Sequence, residues 1–307
     1  DALLALLIAS PRSVYSWDIV IQRVGSKLFL DKRDNGAEML TVYETAPDSP
    51  DPENKDTFNR PTELSHESTM INQRFIQQVQ VSGDTLRFDV ENPEEFDTQY
   101  PVAYRYRRFK VGQHLLVARC EVDAVRMTSK KNNLFLTVRA LNEYHYEKNV
   151  RDKSQSKLGV VDWRQKLESQ RGAVVATELK NNSNKLSRWA SQALIAGTDQ
   201  FILGFVSRAH PKDSHNHVIL GTQQYFPEEF AGQINVRPSN MWGIVNTLVD
   251  LFMNLPEGKY LMLKDPEKLL ATLYRVPHDA FDAVEDEEED GEFDDEERDD
   301  EDDELDH

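Results

Sequence analysis

GVVDWRQKLESQRGAVVATELKNNSNKLSRWASQALIAGTDQFILGFVSR, residues 159–208, is the stretch whose reading decides the fold. The spacing predicts strand, helix, strand. Residues 173–176 are small and β-branched and run into Thr177-Glu178-Leu179-Lys180. Asn181, Asn182 and Ser183 offer N-caps, and Leu186, Trp189, Ala190, Ala193 and Leu194 recur on one helical face. Gly197 fits a helix C-cap, and residues 201–206 form an apolar run of strand length. Two strands joined through a helix make a crossover, which predicts parallel neighbours in an α/β fold of mixed β-sheets flanked by helices.

The chemistry of this stretch lies at the end of its first expected strand. Glu178 and Lys180 are two apart and would share a strand face. With Asp123 from an earlier strand they form the residue set of a Mg²⁺-dependent nuclease, the carboxylates holding the ion and Lys180 positioning water. The plain alternative is a surface ion pair.

DWRQKLESQRGAVVATELKNN followed by KLSRWASQALIAG resembles the d-subunit family of eukaryotic translation initiation factor 3, over residues 13–277. The same segment more distantly resembles the decapping exoribonucleases, whose pattern is E-x-D, E-L-K and a helical Gln. Here these are Glu121-Val122-Asp123, Glu178-Leu179-Lys180 and Gln192. That family's further metal ligand is a Glu closing a Tyr-basic-aromatic-Glu run. The matching run is Tyr104-Arg105-Tyr106-Arg107, so a cation stands where the acid would be. The resemblance therefore implies a decapping-exoribonuclease-like fold that binds RNA, uses no metal or cofactor and is not an enzyme. A Mg²⁺-dependent decapping enzyme or 5′–3′ exoribonuclease using Asp123, Glu178 and Lys180 is the alternative.

The formal charge of −18 is uneven. Of 54 acidic and 36 basic residues, 19 and one lie from Asp282 onward, which leaves 35 of each sign before it. A neutral body excludes a general electrostatic nucleic-acid binder, so RNA contact must come from local patches. The acidic tail, residues 282–307, cannot bury a core and is expected to be disordered. Cys120 as sole cysteine excludes an internal disulfide and, inside an apolar strand, reads as an inert thiol. No apolar run reaches the roughly 20 residues of a membrane helix. The chain opens on Asp1 without an initiator Met, which fits an excised piece of a longer chain.

Along the chain, residues 1–9 read as helix, and residues 19–23 and 27–30 as a hairpin around Gly25-Ser26. Residues 39–43 read as a strand, and 67–78 as a helix with Met70, Ile71, Phe75 and Ile76 as its stripe. Residues 45–65, rich in Pro and acids, read as either a functional lid or a disordered insertion; the resemblance implies a gate over the RNA path, and residues 48–59 are expected to be removable without unfolding. In residues 103–110 cations alternate with aromatics. They suit phosphate contact and base stacking, or a strand that buries Tyr104 and Tyr106 and keeps its arginines wet. Residues 87–90 are a weak strand, 93–101 a loop, 115–125 and 134–141 strands after a turn at Asn132-Asn133, and 144–158 a loop. Residues 163–170 suggest a short helix. His210, His215 and His217 fall in a hairpin loop before a strand at 217–223, with no zinc spacing. Ser239-Asn240 caps a helix, and residues 259–264 and 269–276 form a last hairpin. No phosphate loop or nucleophile elbow is present.

The resemblance implies one domain, residues 1–281, that recognises the 5′ cap of mRNA without hydrolysing it and promotes assembly of the initiation complex. It places Asp1, Val14, Tyr15, Thr69, Asn72 and Gln73 toward the cap, with Gln73 where the family often has His. Arg105, Arg107, Glu178, Lys180 and Gln192 complete the expected RNA surface. A methylated guanine favours an aromatic platform, for which Tyr15, Trp17, Trp189 and Trp242 are candidates, the last two lying on apolar helix faces. Capped mRNA, the factor's other subunits and the small ribosomal subunit are the implied partners, in the cytoplasm and with no membrane.

Overall fold

The computed structural model describes residues 1–33, 39–42, 50–81, 103–128, 133–144, 162–266, 268 and 270–281. The expected elements at 87–90 and 93–101, most of the loop at 144–158 and the tail from Asp282 lie outside these.

In chain order, α1 (Ala2–Ala9) precedes the hairpin β1 (Trp17–Val24) and β2 (Lys27–Asp31), with Gly25 at φ +57° in the turn. α2 (Pro61–Gln78) follows, with Pro61 at its first position, where the missing N–H costs nothing. Next come β3 (Ala103–Val111), β4 (His114–Val122), β5 (Ala124–Met127) and β6 (Asn133–Asn142). Three helices then run in series: α3 (Trp163–Lys166), α4 (Arg171–Asn181) and α5 (Ser183–Ala196). β7 (Gln200–Arg208), β8 (His217–Tyr225), α6 (Pro227–Gln233), α7 (Pro238–Met253), β9 (Gly258–Lys264) and β10 (Ala271–Val276) complete the described chain.

The strands make a four-stranded sheet ordered β10-β9-β1-β2, the β3-β4 ribbon and a four-stranded sheet ordered β5-β6-β7-β8. Among the described strands only the β6-β7 pairing is parallel. The crossover is thus real, but its first strand is β6. Residues 173–176 are helix, not strand: Val174, Val175, Glu178 and Asn181 are the buried positions of α4, at helical spacing. A short β-branched run fits either element, and here packing against α5 overrides its strand propensity.

Smaller expectations also shift. Residues 39–42 form no strand, and Leu40 N donates to Thr69 Oγ1 at 2.9 Å instead. The first turn of α2 occupies residues expected in the loop. α7 starts at Pro238 rather than on a Ser239-Asn240 cap. α6 is an addition to the expected elements, although Pro227, Glu228 and Glu229 suit a helix start.

α5 is the centre. Leu186, Trp189, Ala190 and Ala193 pack with Phe201, Leu203 and Phe205 of β7. Its C-terminal Ile195 and Ala196 join Leu4 and Ile8 of α1, Cys120 of β4 and Val245 of α7. Gly197 ends it in the left-handed region at φ +60°. On the far side of the sheet Ile71 and Phe75 of α2 cover Val138, Ala140 and Val206. A Cβ on Gly204 would lie 2.2 Å from the Phe75 ring, so glycine permits this close approach.

Part of the expected removable insertion is anchored. Arg208 donates to Glu67 Oε1 at 2.7 Å and Oε2 at 2.5 Å, to Asn59 Oδ1 at 2.8 Å and to Phe58 O at 3.0 Å. His217 Nε2 lies 2.8 Å from Glu67 Oε1. Deleting 48–59 would strip two partners from a buried guanidinium, which sets a cost against that deletion. Burial would raise the Glu67 pKa, but hydrogen bonds and charge from Arg208 and His217 outweigh it and hold it below its usual value. A depressed carboxyl contributes stability above the unfolded value of about 4.3 and loses it as pH falls through the folded value. Glu67→Gln should therefore cost about 3 kcal/mol near neutrality. In urea melts the difference from the parent should shrink below about pH 4; a pH-independent difference would refute this linkage.

Candidate nucleic-acid interface

A helix buried on several sides must satisfy whatever polar groups it carries. The face of α5 opposite its apolar stripe carries Asn184, Lys185, Arg188, Ser191 and Gln192, at helical spacing. Neighbouring elements meet it along its length. Asn182 Nδ2 donates to Glu178 Oε2 at 3.0 Å, and Lys185 Nζ lies 5.6 Å from the Trp189 ring centre. Burial raises the Glu178 carboxyl pKa, Lys185 and Asn182 counter this, and Glu143 adds to the rise. Ser68 of α2 donates to Asn142, beside Glu143, at 2.8 Å. Burial pushes the Arg188 guanidinium down to about 10. Burial and the Arg188 charge lower the Lys32 ammonium, and Glu121 partly restores it. Asp1 ties to the same strand as Glu121: its carboxylate accepts from Glu121 N at 3.1 Å and its nitrogen donates to Arg119 O at 2.6 Å. Arg12, three residues before Tyr15, donates to Ile234 O at 3.0 Å and to Ser187 of α5. A polar seam therefore runs along α5 from Glu178 to Asp1. On it Asn184 Oδ1 and Ser191 Oγ are buried without hydrogen-bond partners among the described residues.

The expected site residues divide. Asp1, Glu178 and Gln192 lie on the seam. Val14 and Tyr15 are exposed on the loop before β1. Thr69 and Asn72 have internal work: Thr69 Oγ1 donates to Ser65 O at 2.7 Å, and Asn72 Oδ1 accepts from Ala140 N at 2.9 Å. Gln73 is half-buried beside Asn72. Lys180 does not share a face with Glu178. On a helix two residues turn by roughly 200°, so Glu178 is buried and Lys180 is exposed. Arg105 and Arg107 point inward, Arg105 over Phe135 at 4.8 Å and Arg107 over Phe109 at 5.1 Å. Arg107 also donates to Leu194 O at 3.2 Å and Ile195 O at 2.5 Å, capping the carbonyl end of α5. From Lys185 to Ile195 the helix rises about 15 Å. Glu178 and Arg107 thus serve opposite ends of α5 and do not converge. Lys32, Arg188 and Arg12 carry no sequence signal for the site. No short motif marks them, and only the packing of α5 brings them together. Trp189 is core, as expected, and Trp242 is partly buried 4.7 Å from Phe109.

Asp123 has structural duties. β5 is short, so β6 has an unpaired edge beyond Leu136 among the described strands. Asp123 Oδ2 accepts from Val138 N at 2.7 Å and from Arg139 at 2.5 Å, and Asn72 serves Ala140 N. These side chains stand in for missing strand partners.

A family profile described as "Eukaryotic translation initiation factor 3 subunit 7 (eIF-3)" matches residues 1–275. The chain belongs to this family. It is similar to the D subunit of eukaryotic translation initiation factor 3 of Arabidopsis thaliana, 53% identical over 287 residues that cover 92% of this chain and 46% of that protein. The Homo sapiens counterpart of that D subunit is 49% identical over 294 residues, 93% of this chain and 52% of that one. The chain thus spans about half the length of these relatives. Among solved structures it is similar to Scheffersomyces stipitis Rai1, with TM-score 0.54, 16% identity and coverage of 91% of this chain and 68% of that one. The same protein in complex with (3′-NADP)+ and calcium ion matches with TM-score 0.55, 15% identity and the same coverage. At that identity the likeness concerns fold alone, and it agrees with the expected decapping-exoribonuclease-like architecture.

The residues of this initiation factor 3 family member do not fit a divalent cation at Asp123. The guanidinium of Arg139 already lies against its carboxylate, whose side chain is 2% exposed, and would repel a metal there. Burial raises the Asp123 pKa, against the charge of Arg139. Among the described residues no group of three or more His, Cys, Asp or Glu side chains is placed to hold a metal. Arg107→Glu, which writes back the decapping-family acid, should create no metal site. It would set a carboxylate against helix carbonyls and lower stability by about 2 kcal/mol or more. Thermal melts with and without Mg²⁺ test this; a variant as stable as the parent, or stabilised by Mg²⁺, would contradict the capping role.

Proposed function

We propose that this chain recognises the 5′ cap of mRNA during translation initiation and leaves the cap intact. The carrying observation is the α5 seam, where the guanidinium of Arg188, its charge disfavoured by burial, and the exposed ammonium of Lys32 are two cations, and where Asn184 Oδ1 and Ser191 Oγ lack hydrogen-bond partners among the described residues. A cap's triphosphate bridge would neutralise both, and guanidinium and ammonium groups suit its oxygens. Tyr15, exposed three residues from the Arg12 anchor, offers a stacking surface for the cationic methylguanine. Asp1, Val14, Thr69, Asn72, Gln73, Glu178 and Gln192 then border the ligand. Thr69 and Asn72 act chiefly by fixing α2 against β6. The inward Arg105 and Arg107 are better suited to holding the scaffold than to touching RNA, whereas the exposed Lys180 stays on the expected RNA surface.

Family membership supports the setting: the factor's other subunits and the small ribosomal subunit are the proposed partners, in the cytoplasm. No helix among the described residues is long and apolar enough to cross a membrane. The Asp123–Arg139 pairing supports binding over cleavage.

Capped and uncapped oligonucleotides of one sequence, titrated with and without Mg²⁺, test the reading. Capped RNA should bind more tightly, independently of Mg²⁺, and be recovered intact. Arg188→Gln should weaken capped binding about tenfold or more, as for loss of a charged hydrogen bond, with a melting temperature near the parent's. Equal affinity for both RNAs, or release of cap or nucleotides in Mg²⁺, would overturn it.

A further inference from the structure

The β3-β4 ribbon has two unlike faces. Inward, Arg105, Arg107 and Phe109 pack on Phe135, the end of α5 and Trp242. This reverses the alternative in which the tyrosines were buried and the arginines wet. The outward face carries three successive cross-strand pairs: Tyr106 opposite Arg119, Arg108 opposite Val117 and Lys110 opposite Leu115. Each pair joins one cation to one aromatic or aliphatic side chain. Tyr106 is 72% exposed, Leu115 64% and Val117 61%, and Arg108, Lys110 and Arg119 are also exposed. The one carboxylate in these two strands, Glu121, sits at the end of the face opposite Tyr104.

The ribbon is also held firmly. Its turn residue Gly112 has φ +59°, and a Cβ there would meet Asn246 Oδ1 of α7 at 2.2 Å. His114 Nε2 lies 2.7 Å from Asp250 Oδ1 of the same helix. An exposed face with apolar side chains on a rigid support marks a contact surface.

We propose that this outward face is a track for single-stranded RNA, engaging the body of the strand rather than its 5′ end. Successive pairs on one strand face are about 6.8 Å apart, so the cations form a line that can follow a phosphate backbone. The Tyr106 ring and the Val117 and Leu115 side chains between them give bases a sequence-tolerant surface. An acidic peptide would use the cations and leave the ring and aliphatic groups unmatched. The proposal rests on the RNA reading above and extends it to a surface distinct from the α5 seam.

The test compares a cap dinucleotide with capped and uncapped unstructured oligonucleotides of about 20 nucleotides, long enough to cover the track. Two variants are used: Arg108→Gln/Lys110→Gln/Arg119→Gln, and Tyr106→Ala. Each should lower affinity for both oligonucleotides about tenfold or more, with cap dinucleotide binding and melting temperature unchanged. The triple variant should reduce the slope of log affinity against log salt by about 2, at roughly 0.7 per phosphate contact on a single strand. If the parent shows no cap preference yet both variants lose oligonucleotide binding, the cap reading fails and the track stands. Unchanged oligonucleotide affinity and salt slope would overturn the track while leaving cap recognition untouched. Unchanged RNA affinity with lost association to the factor's other subunits would also overturn it, assigning the face to protein docking.

Discussion

The structure depends on keeping α5 buried although half of it is polar. One side supplies the apolar contacts that fix β7. The other would leave amide, ammonium and guanidinium groups stranded, at a cost of several kcal/mol for each unpaired charge. Partners come from other elements: Arg12 bonds to Ser187, and Glu178 of α4 lies in the field of Lys185. At the carbonyl end Arg107 and Gly197 close the helix together. A Cβ on Gly197 would come within 2.4 Å of that guanidinium, so glycine is required both for the turn and for the cap.

The same economy explains why acids in nuclease-like positions serve as struts. Asp123 and Asn72 supply acceptors to the bare edge of β6, and Glu67 locks Arg208 against the segment before α2. The proposed cap contact falls to Arg188, whose charge burial disfavours, and to Lys32, beside Asn184 Oδ1 and Ser191 Oγ, which lack hydrogen-bond partners among the described residues. As proposed, such a seam would hold a polyanion through charge neutralisation. Nothing in that grip requires a metal-bound water.

Much of the architecture is legible in the sequence. The apolar spacing of α5, its glycine cap, the β1-β2 and β9-β10 hairpins and the helix at α2 follow from local periodicity. Residues 173–181 mislead because Val174, Val175 and Thr177 favour a strand, and only the burial of Glu178 and Asn181 shows the helical period. With that error goes the shared face of Glu178 and Lys180. The β3 run is legible as an alternating strand, but alternation does not say which face meets α5. Arg107 stands out in the sequence as a cation out of place for a metal site. Its partner, the end of a helix some 90 residues on, is a tertiary fact. The burial of Arg188 has no local signal at all.

Cap recognition as proposed stands or falls on Arg188 and Lys32 as the cations that hold a polyphosphate. Titration of a cap dinucleotide across a range of salt concentrations, against the parent, Arg188→Gln and Lys32→Gln, measures this directly. Both variants should bind it about tenfold or more weakly than the parent, with a shallower dependence on salt. Unchanged affinity and salt dependence in both variants would contradict it.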